Sequence, residues 1–279
     1  MKILFISLGC DKNLADSEEM LGLLTGNGHE IVDSEEEADA IVINTCCFIH
    51  DAKEESVNTI LEMAEYKKTG TCKILIVTGC MAQRYKEEIT EEIPEVDAVL
   101  GTTSYGDIVK ALNEAEAGHV FREFKDINAL PEDSGRRVIT TGGHFGYLKI
   151  AEGCDKHCTY CIIPSLRGKF RSVPEERLLK QAEYMASQGV RELILVAQET
   201  TVYGTDLYGK KTLHILLKKL CQIKGIRWIR VLYCYPEEIY DELIQVMKEE
   251  KKICHYLDLP IQHASDRILK RMGRRTSKA

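Results

Sequence analysis

Three cysteines stand close together in the second half of the chain, in the run Ala151-Glu152-Gly153-Cys154-Asp155-Lys156-His157-Cys158-Thr159-Tyr160-Cys161. A Cys-x3-Cys-x2-Cys spacing on a loop after a strand is compact enough to wrap three irons of a 4Fe-4S cube, and it supplies no fourth thiolate. An iron with free coordination can chelate the amino and carboxylate groups of S-adenosylmethionine and hold its sulfonium against the cluster for one-electron reduction. The alternative is a zinc knuckle completed by His157 or a more distant residue. Zinc frameworks usually carry a second Cys or His pair a dozen or so residues onward, and none follows here.

Three further cysteines recur at long range. Cys10, Cys46 and Cys80 lie 36 and 34 residues apart, each just after a run that reads as a β-strand. That interval matches one βαβ unit, and in an open parallel sheet the carboxyl ends of the strands line a shared crevice, so the three thiols are expected at one edge. Gly9 and Gly79 precede two of them and let the backbone turn sharply beside a bulky inorganic group. Three thiolates are too few to close a structural zinc site but suit an iron-sulfur cluster with one open iron. Taken singly, each also reads as a small buried hydrophobe at a strand end; the common spacing weakens that reading. Cys47 points away from the crevice if the strand continues, which makes Cys46 the candidate of that pair. Cys72, Cys221, Cys234 and Cys254 have no partner spacing and read as core or surface thiols.

The elements that must carry these residues follow from hydrophobic pattern. Over residues 1–113, β-rich runs (Lys2 to Ser7, Ala40 to Asn44, Lys73 to Thr78, Asp97 to Leu100) alternate with helical stretches near Ala15 to Thr25, Ala52 to Lys67, Tyr85 to Ile93 and Tyr105 to Leu112. This is the α/β signature of a parallel sheet covered by helices, flavodoxin-like or half-Rossmann, with right-handed crossovers. Over 114–143 the pattern lapses. Gly118, Pro131, Ser134, Gly135, Gly142 and Gly143 sit among charges there, which reads as a linker with one stray strand, Val138 to Thr141.

From 144 to 279 strands and helices alternate again: Phe145 to Ile150 before the cysteine loop, then Glu192 to Val196, Trp228 to Tyr233 and His255 to Leu259. Ser172 and Glu175 read as a capping box with Pro174 in the first turn, and Gly189 closes that helix. The pattern is that of a TIM-like (β/α) barrel, expected to be incomplete because four strands cannot close one. Active residues of such barrels lie just after each strand, marking Gln198, Glu199 and Thr200, then Tyr233 to Pro236, then Gln262 and His263. Gln198 and Glu199 are placed to accept hydrogen bonds from the ammonium of a bound methionine moiety. The same Ala-Gln-Glu-Thr-Thr run also reads as a solvated loop capping the next helix. Arg267, Lys270, Arg271, Arg274, Arg275 and Lys278 read as a wet helix face, the alternative being contact with a phosphate or an acidic partner.

Composition narrows the class. A hydrophobic content of 44% supports cores in about two domains. Charged residues make up 29%, there are only 6 Pro and 20 Gly, and no apolar run reaches the ~20 residues of a membrane span. With 37 Lys+Arg against 44 Asp+Glu the net charge is -7, which disfavours a chain devoted to nucleic-acid phosphate and suits a basic partner. The opening Met1 to Cys10 is too short for a secretory signal or a lipoprotein leader, so a cytoplasmic location is expected. There, eleven thiols are not a disulfide framework.

Over nearly its whole length the chain resembles the radical S-adenosylmethionine methylthiotransferases. Ser7-Leu8-Gly9-Cys10-Asp11-Lys12-Asn13, Asn44-Thr45-Cys46, Thr78-Gly79-Cys80 and the Cys154/Cys158/Cys161 loop match, and Ile163-Pro164-Ser165-Leu166-Arg167-Gly168 and Arg171-Ser172 continue the match. Asp11-Lys12, with Tyr233-Cys234-Tyr235-Pro236, is most similar to the branch that modifies an aspartate of protein twelve of the small ribosomal subunit. The branch that modifies a tRNA adenosine typically carries Gln-Met where Asp11 and Lys12 stand.

The resemblance implies two 4Fe-4S clusters, with the radical-generating, catalytic one on Cys154, Cys158 and Cys161 and an auxiliary one on Cys10, Cys46 and Cys80. S-adenosylmethionine is the implied cofactor; Tyr160, in the cysteine loop, and Gln198 and Glu199, by their place after a strand, are the candidate contacts. The implied reaction inserts a methylthio group at an unactivated C-H bond, whose proton no positioned base removes at neutral pH, so a 5′-deoxyadenosyl radical takes the hydrogen instead. The implied partners are a small-subunit ribosomal protein as substrate, an electron donor and a sulfur source, with no membrane. Nucleic acid enters only under the tRNA alternative, and a non-catalytic iron-sulfur scaffold is the third reading. Residues 1–113 would be the auxiliary-cluster domain and 144–279 a radical core cut short, since family members normally finish the barrel and add a small C-terminal β-domain.

Overall fold

The computed structural model describes residues 1–132 and 135–278; Ser134, one of the turn residues above, lies outside them. Two compact units divide the chain, Met1–Val138 and Ile139–Ala279. No helix among the described residues is long and apolar enough to cross a membrane.

In the first unit β1 (Lys2–Ser7), β2 (Glu30–Val32), β3 (Ala40–Thr45), β4 (Ile74–Gly79), β5 (Ala98–Leu100) and β6 (Phe121–Glu123) form one sheet in the order β2-β1-β3-β4-β5-β6. Every neighbouring pair is parallel. The crossovers are α1 (Asp11–Gly26), α2 (His50–Thr69), α3 (Cys80–Glu92) and α4 (Ile108–Glu116). β3 and β4 are buried at every position, as uninterrupted Ile/Val runs must be when helices cover both faces. α4 buries Ile108, Ala111, Leu112 and Ala115, one stripe at helical spacing, against Ile3, Val42, Ile76 and Leu100. Each Ile or Leu so buried contributes about 1.5–3 kcal/mol. The strand order is the flavodoxin-like one, with its reversal between β1 and β3.

Several elements differ from the sequence reading. β2 and β6 are three residues long, too short to show a period of two, and β6 lies inside the stretch read as a linker. Val138 to Thr141 forms no strand. Instead Arg137 is buried, its Nε and Nη2 donating to Glu18 Oε2 at 2.9 and 2.6 Å, while Val138 N donates to Glu18 O at 3.0 Å. This segment is therefore strapped to α1. α3 starts at Cys80 rather than Tyr85 and breaks at Lys86, whose φ is 36°.

In the second unit β7 (Phe145–Lys149), β10 (Glu192–Val196) and β11 (Trp228–Val231) form a parallel sheet in the order β11-β10-β7, and β8 (Ala151–Glu152) pairs antiparallel with β9 (Arg171–Ser172). The helices are α5 (Ile163–Arg167), α6 (Glu175–Ser187), α7 (Thr205–Tyr208), α8 (Leu213–Cys221), α9 (Asp241–Glu249) and α10 (Asp266–Arg271). The expected strand His255 to Leu259 is not one: an isolated Ile229–Ile253 bridge precedes it, and Tyr256 and Leu259 are exposed, so neither face is buried. The expected capping box does not form either. Pro174 is the N-cap of α6, and the Ser172 hydroxyl donates to Asp206 Oδ1 at 2.6 Å instead.

The Arg137–Glu18 pair gives a direct test of the strap. Replacing Glu18 by Ala should destabilise the first unit by about 3 kcal/mol, since breaking a buried ion pair costs far more than breaking an exposed one. A urea midpoint unchanged by Glu18→Ala would refute this.

Candidate metal centres

Parallel pairing places the first three cysteines side by side. Cys10 directly precedes α1, Cys46 directly follows β3, and Cys80 opens α3 directly after β4. The fully buried Asn13 ties their loops together. Its Nδ2 donates to Leu8 O at 3.1 Å and Thr45 O at 2.9 Å, and its Oδ1 accepts from Cys80 Sγ at 3.8 Å. A Cβ built on Gly9 would stand 3.0 Å from Cys46 Sγ, so the loop before Cys10 lies against that thiol. Ser56 clamps Cys46, accepting from its N at 3.0 Å and donating to its O at 2.8 Å. Cys47 is also buried, and burial pushes its thiol pKa up despite the nearby Arg84. Asn13 was missed as a positioning residue; its place three residues after Cys10, within the first turn of a helix, was the available signal.

In the second unit the β8–β9 ribbon holds the start of the cysteine loop. Gly153 has φ 73°, and a Cβ there would stand 2.1 Å from Lys169 O and 2.5 Å from Gly168 O, so this position requires glycine. Cys154 N donates to Gly168 O at 3.1 Å, Lys156 N donates to Cys154 Sγ at 3.4 Å, and Cys161 N donates to Cys158 O at 3.0 Å. Burial pushes the Cys154 thiol up to about 11 and raises Cys161 as well. Such thiols ionise when a bound metal stabilises the thiolate. Among the described residues no three His, Cys, Asp or Glu side chains converge tightly enough to hold one metal ion. The donor sets are three thiols each, carried on loops packed tightly beside glycine, and they fit a polynuclear cluster ligated three times.

Cys154 and Cys158 line a cavity of about 410 Å³ whose wall also includes Lys156, Glu199, Tyr235 and Arg274. Glu199 is 1% exposed; its Oε1 accepts from Thr201 N at 3.2 Å, and its Oε2 has no hydrogen-bond partner among the described residues. Burial pushes its carboxyl up to about 7. Gln198 is buried with Oε1 likewise unpartnered, although it does not line the cavity, and Thr200 and Thr201 are fully buried. The solvated-loop reading of this run therefore fails. Tyr160 is half exposed and lies outside the cavity wall, as do Gln262 and His263, which are exposed. Lys156 and Arg274 flank the Tyr235 ring at 5.2 and 4.2 Å from its centroid. Glu238 pairs with Lys156 and, at 2.9 Å, with Lys211. Arg274, read as part of a wet helix face, is instead buried.

Residues 2–101 match the uncharacterized protein family UPF0004, and residues 148–279 match the Radical SAM superfamily. The chain is 68% identical over 277 residues to the ribosomal protein uS12 methylthiotransferase RimO of Lachnoclostridium phytofermentans, covering 99% of this chain and 63% of that protein. Over nearly its whole length the chain is similar to the RimO methylthiotransferases. Members of the same name from Clostridium botulinum and Clostridioides difficile are 54% and 53% identical over 279 and 278 residues, which cover 99% and 100% of this chain and 62% and 63% of theirs. The chain thus spans under two thirds of the length of these family members. Among solved structures it is similar to the radical S-adenosylmethionine methyltransferase TsrM of Kitasatospora setae, with TM-score 0.64 and 11% identity over 99% of this chain and 62% of that one. It is also similar to the cobalamin-dependent radical enzyme OxsB, with TM-score 0.62 and 16% identity over 99% and 46%. These two likenesses are of fold.

Two outcomes follow from the geometry. Gly153→Ala should cost about 2–4 kcal/mol, because it forces a Cβ into two backbone carbonyls at positive φ, and it should lower the iron bound at the second cysteine set; urea unfolding and iron analysis read the two effects. For Glu199, a raised folded-state pKa means that stability is lost as pH rises from the ordinary carboxyl value of 4.5 through about 7. Glu199→Gln should leave stability near pH 5 unchanged and raise it at pH 8 by about 3 kcal/mol. Equal effects at both pH values would show that Glu199 does not titrate in this range.

Proposed function

We propose that this chain carries out radical S-adenosylmethionine methylthiolation of the β-carbon of an aspartate in ribosomal protein uS12, in the cytoplasm, with two 4Fe-4S clusters. Residues 1–113 would form the auxiliary-cluster domain, with Cys10, Cys46 and Cys80 as ligands, and residues 144–279 the radical core, with Cys154, Cys158 and Cys161. The observation that carries the reading is the cysteine triplet opening onto the Glu199–Arg274 cavity in a chain 68% identical to a uS12 methylthiotransferase.

A bound cluster with one iron unligated by the chain would supply the one-electron cleavage of S-adenosylmethionine that an unactivated C-H bond demands. The chain's own groups do the rest. Gly153 lets the backbone turn so that Cys154 faces the cavity, and the Lys156 amide supports its sulfur. Gln198 Oε1 and Glu199 Oε2, both buried and unmet, would accept hydrogen bonds from the methionyl ammonium, while Tyr160 would contact the cofactor from the rim. Asn13 holds the three loops of the other cysteine set in register. A net charge of -7 favours a basic ribosomal protein over tRNA as substrate.

Protein reconstituted anaerobically with iron and sulfide, then given a reductant and S-adenosylmethionine, should form 5′-deoxyadenosine. Replacing Cys154, Cys158 and Cys161 together by Ala should abolish that product and remove about half the iron, the share of one of two equal clusters. A uS12 peptide should then gain a methylthio group on aspartate. Modification of tRNA instead would assign the other branch, and loaded clusters with no 5′-deoxyadenosine would leave a scaffold.

A further inference from the structure

The last helix of the second unit ends by turning one arginine inward. Gly273, at φ 73°, follows α10; Gly273 N donates to Lys270 O at 3.2 Å and Arg274 N to Leu269 O at 2.9 Å. These two bonds are a Schellman pair, which reverses the chain direction. The turn is fastened to the cysteine loop, because Thr159 donates through N to Met272 O at 3.0 Å and through Oγ1 to Arg271 O at 3.2 Å. The Arg274 side chain, 1% exposed, is thereby delivered to the wall of the cavity that Cys154 and Cys158 line.

Its guanidinium is only partly satisfied there. Nη2 donates to Pro260 O at 2.7 Å and the Cys158 thiol lies against the group, whereas Nε and Nη1 are buried with no well-aligned hydrogen-bond partner among the described residues. The Tyr235 ring, 4.2 Å away, supports the flat face of the group and leaves its edge to other partners. The acids of the cavity are committed elsewhere. Glu237 Oε2 stands 4.0 Å from Nη2, beyond hydrogen-bond distance, and accepts from Thr276 Oγ1 at 2.5 Å. Glu238 holds Lys156 and Lys211, and Glu199, whose Oε1 accepts from Thr201 N while its Oε2 stays unmet, makes no ion pair with Arg274 among the described residues. A buried guanidinium with two unmet donors is costly, and an anionic oxygen acceptor from outside the chain would relieve that cost. A planar carboxylate matches its donors well.

We infer that Arg274 is a carboxylate-binding residue of this cavity. The inference rests on the functional reading above, in which two molecules bring a carboxylate: the methionyl end of S-adenosylmethionine and the target aspartate of the peptide.

The test is equilibrium dialysis of the reconstituted chain and of Arg274→Gln against two ligand pairs. One pair is S-adenosylmethionine and its decarboxylated analogue; the other is a uS12 peptide with Asp or with Asn at the target position. The unsubstituted chain should bind the carboxylate-bearing member of one pair about 10-fold or more tightly, the worth of a hydrogen bond to a charged group. Arg274→Gln should lose that preference while keeping its affinity for the carboxylate-free member. A preference within the first pair assigns Arg274 to the cofactor, and one within the second assigns it to the substrate. If Arg274→Gln fails to load iron, Arg274→Lys replaces it, and its preference should fall several-fold because a point charge does not reproduce the guanidinium's donors. Absence of preference in both pairs for the unsubstituted chain overturns the inference, as does a preference that the substitution leaves intact. If the chain loads its clusters yet binds no S-adenosylmethionine, the functional reading falls and takes the inference with it.

Discussion

Parallel strand pairing is the constraint from which both cysteine sites follow, because a parallel sheet gathers all its strand ends at one edge and sends each connection back across a covered face. In the first unit the residues just after β1, β3 and β4 share that edge, and they are Cys10, Cys46 and Cys80. In the second, the segments following β7, β10 and β11 supply the cysteine loop, Glu199 and Tyr235, three of the contributors to one cavity. Slip any of these strands by one residue and the side chains of its end would exchange faces.

Bringing thiols near one another also requires the backbone to come close, and each site solves this with a small residue and a fixed amide or turn. At the first, Asn13 uses both ends of its side chain on three loops that the sequence separates by more than thirty residues each. At the second, Gly153 lies against the carbonyls of Gly168 and Lys169, and the turn after α10 is bonded to Thr159. Neither arrangement gains much from any single hydrogen bond, worth about 1 kcal/mol net. Both depend on the helices and strands behind them being packed, since a loop alone could not bear the entropy of holding three side chains in register.

The cavity is electrostatically unusual for a chain of net charge -7. Burial disfavours the charged forms of Glu199 and Cys154 alike, so the wall nearest the triplet carries less negative charge than its composition implies. Lys156 and Lys211 share Glu238, while Arg274 sits against an aromatic ring without a hydrogen-bonded carboxylate of the chain. The wall therefore sets Lys156, Lys211, Arg274 and Arg275 against Asp155, Glu237 and Glu238, with Glu199 held toward its neutral form.

Much of this was legible in the sequence. The alternation of Ile/Val runs with helical stripes is a local signal, so the α/β class, the flavodoxin-like sheet and the positions of all six cysteines after strands could be read directly. The three-residue strands β2 and β6 could not, since edge pairing at that length leaves no periodic trace. His255 to Leu259 shows the opposite error, a run with strand composition but without a buried face. What only the tertiary structure decided is burial of the polar groups: Glu199 in place of a solvated loop, Arg137 against Glu18, and Arg274 beside the cysteine loop. Hydrophobic period reports which face of an element is apolar, but whether a charge meets water or a cavity depends on residues brought alongside from more than a hundred positions away, as Thr159 is to Arg271.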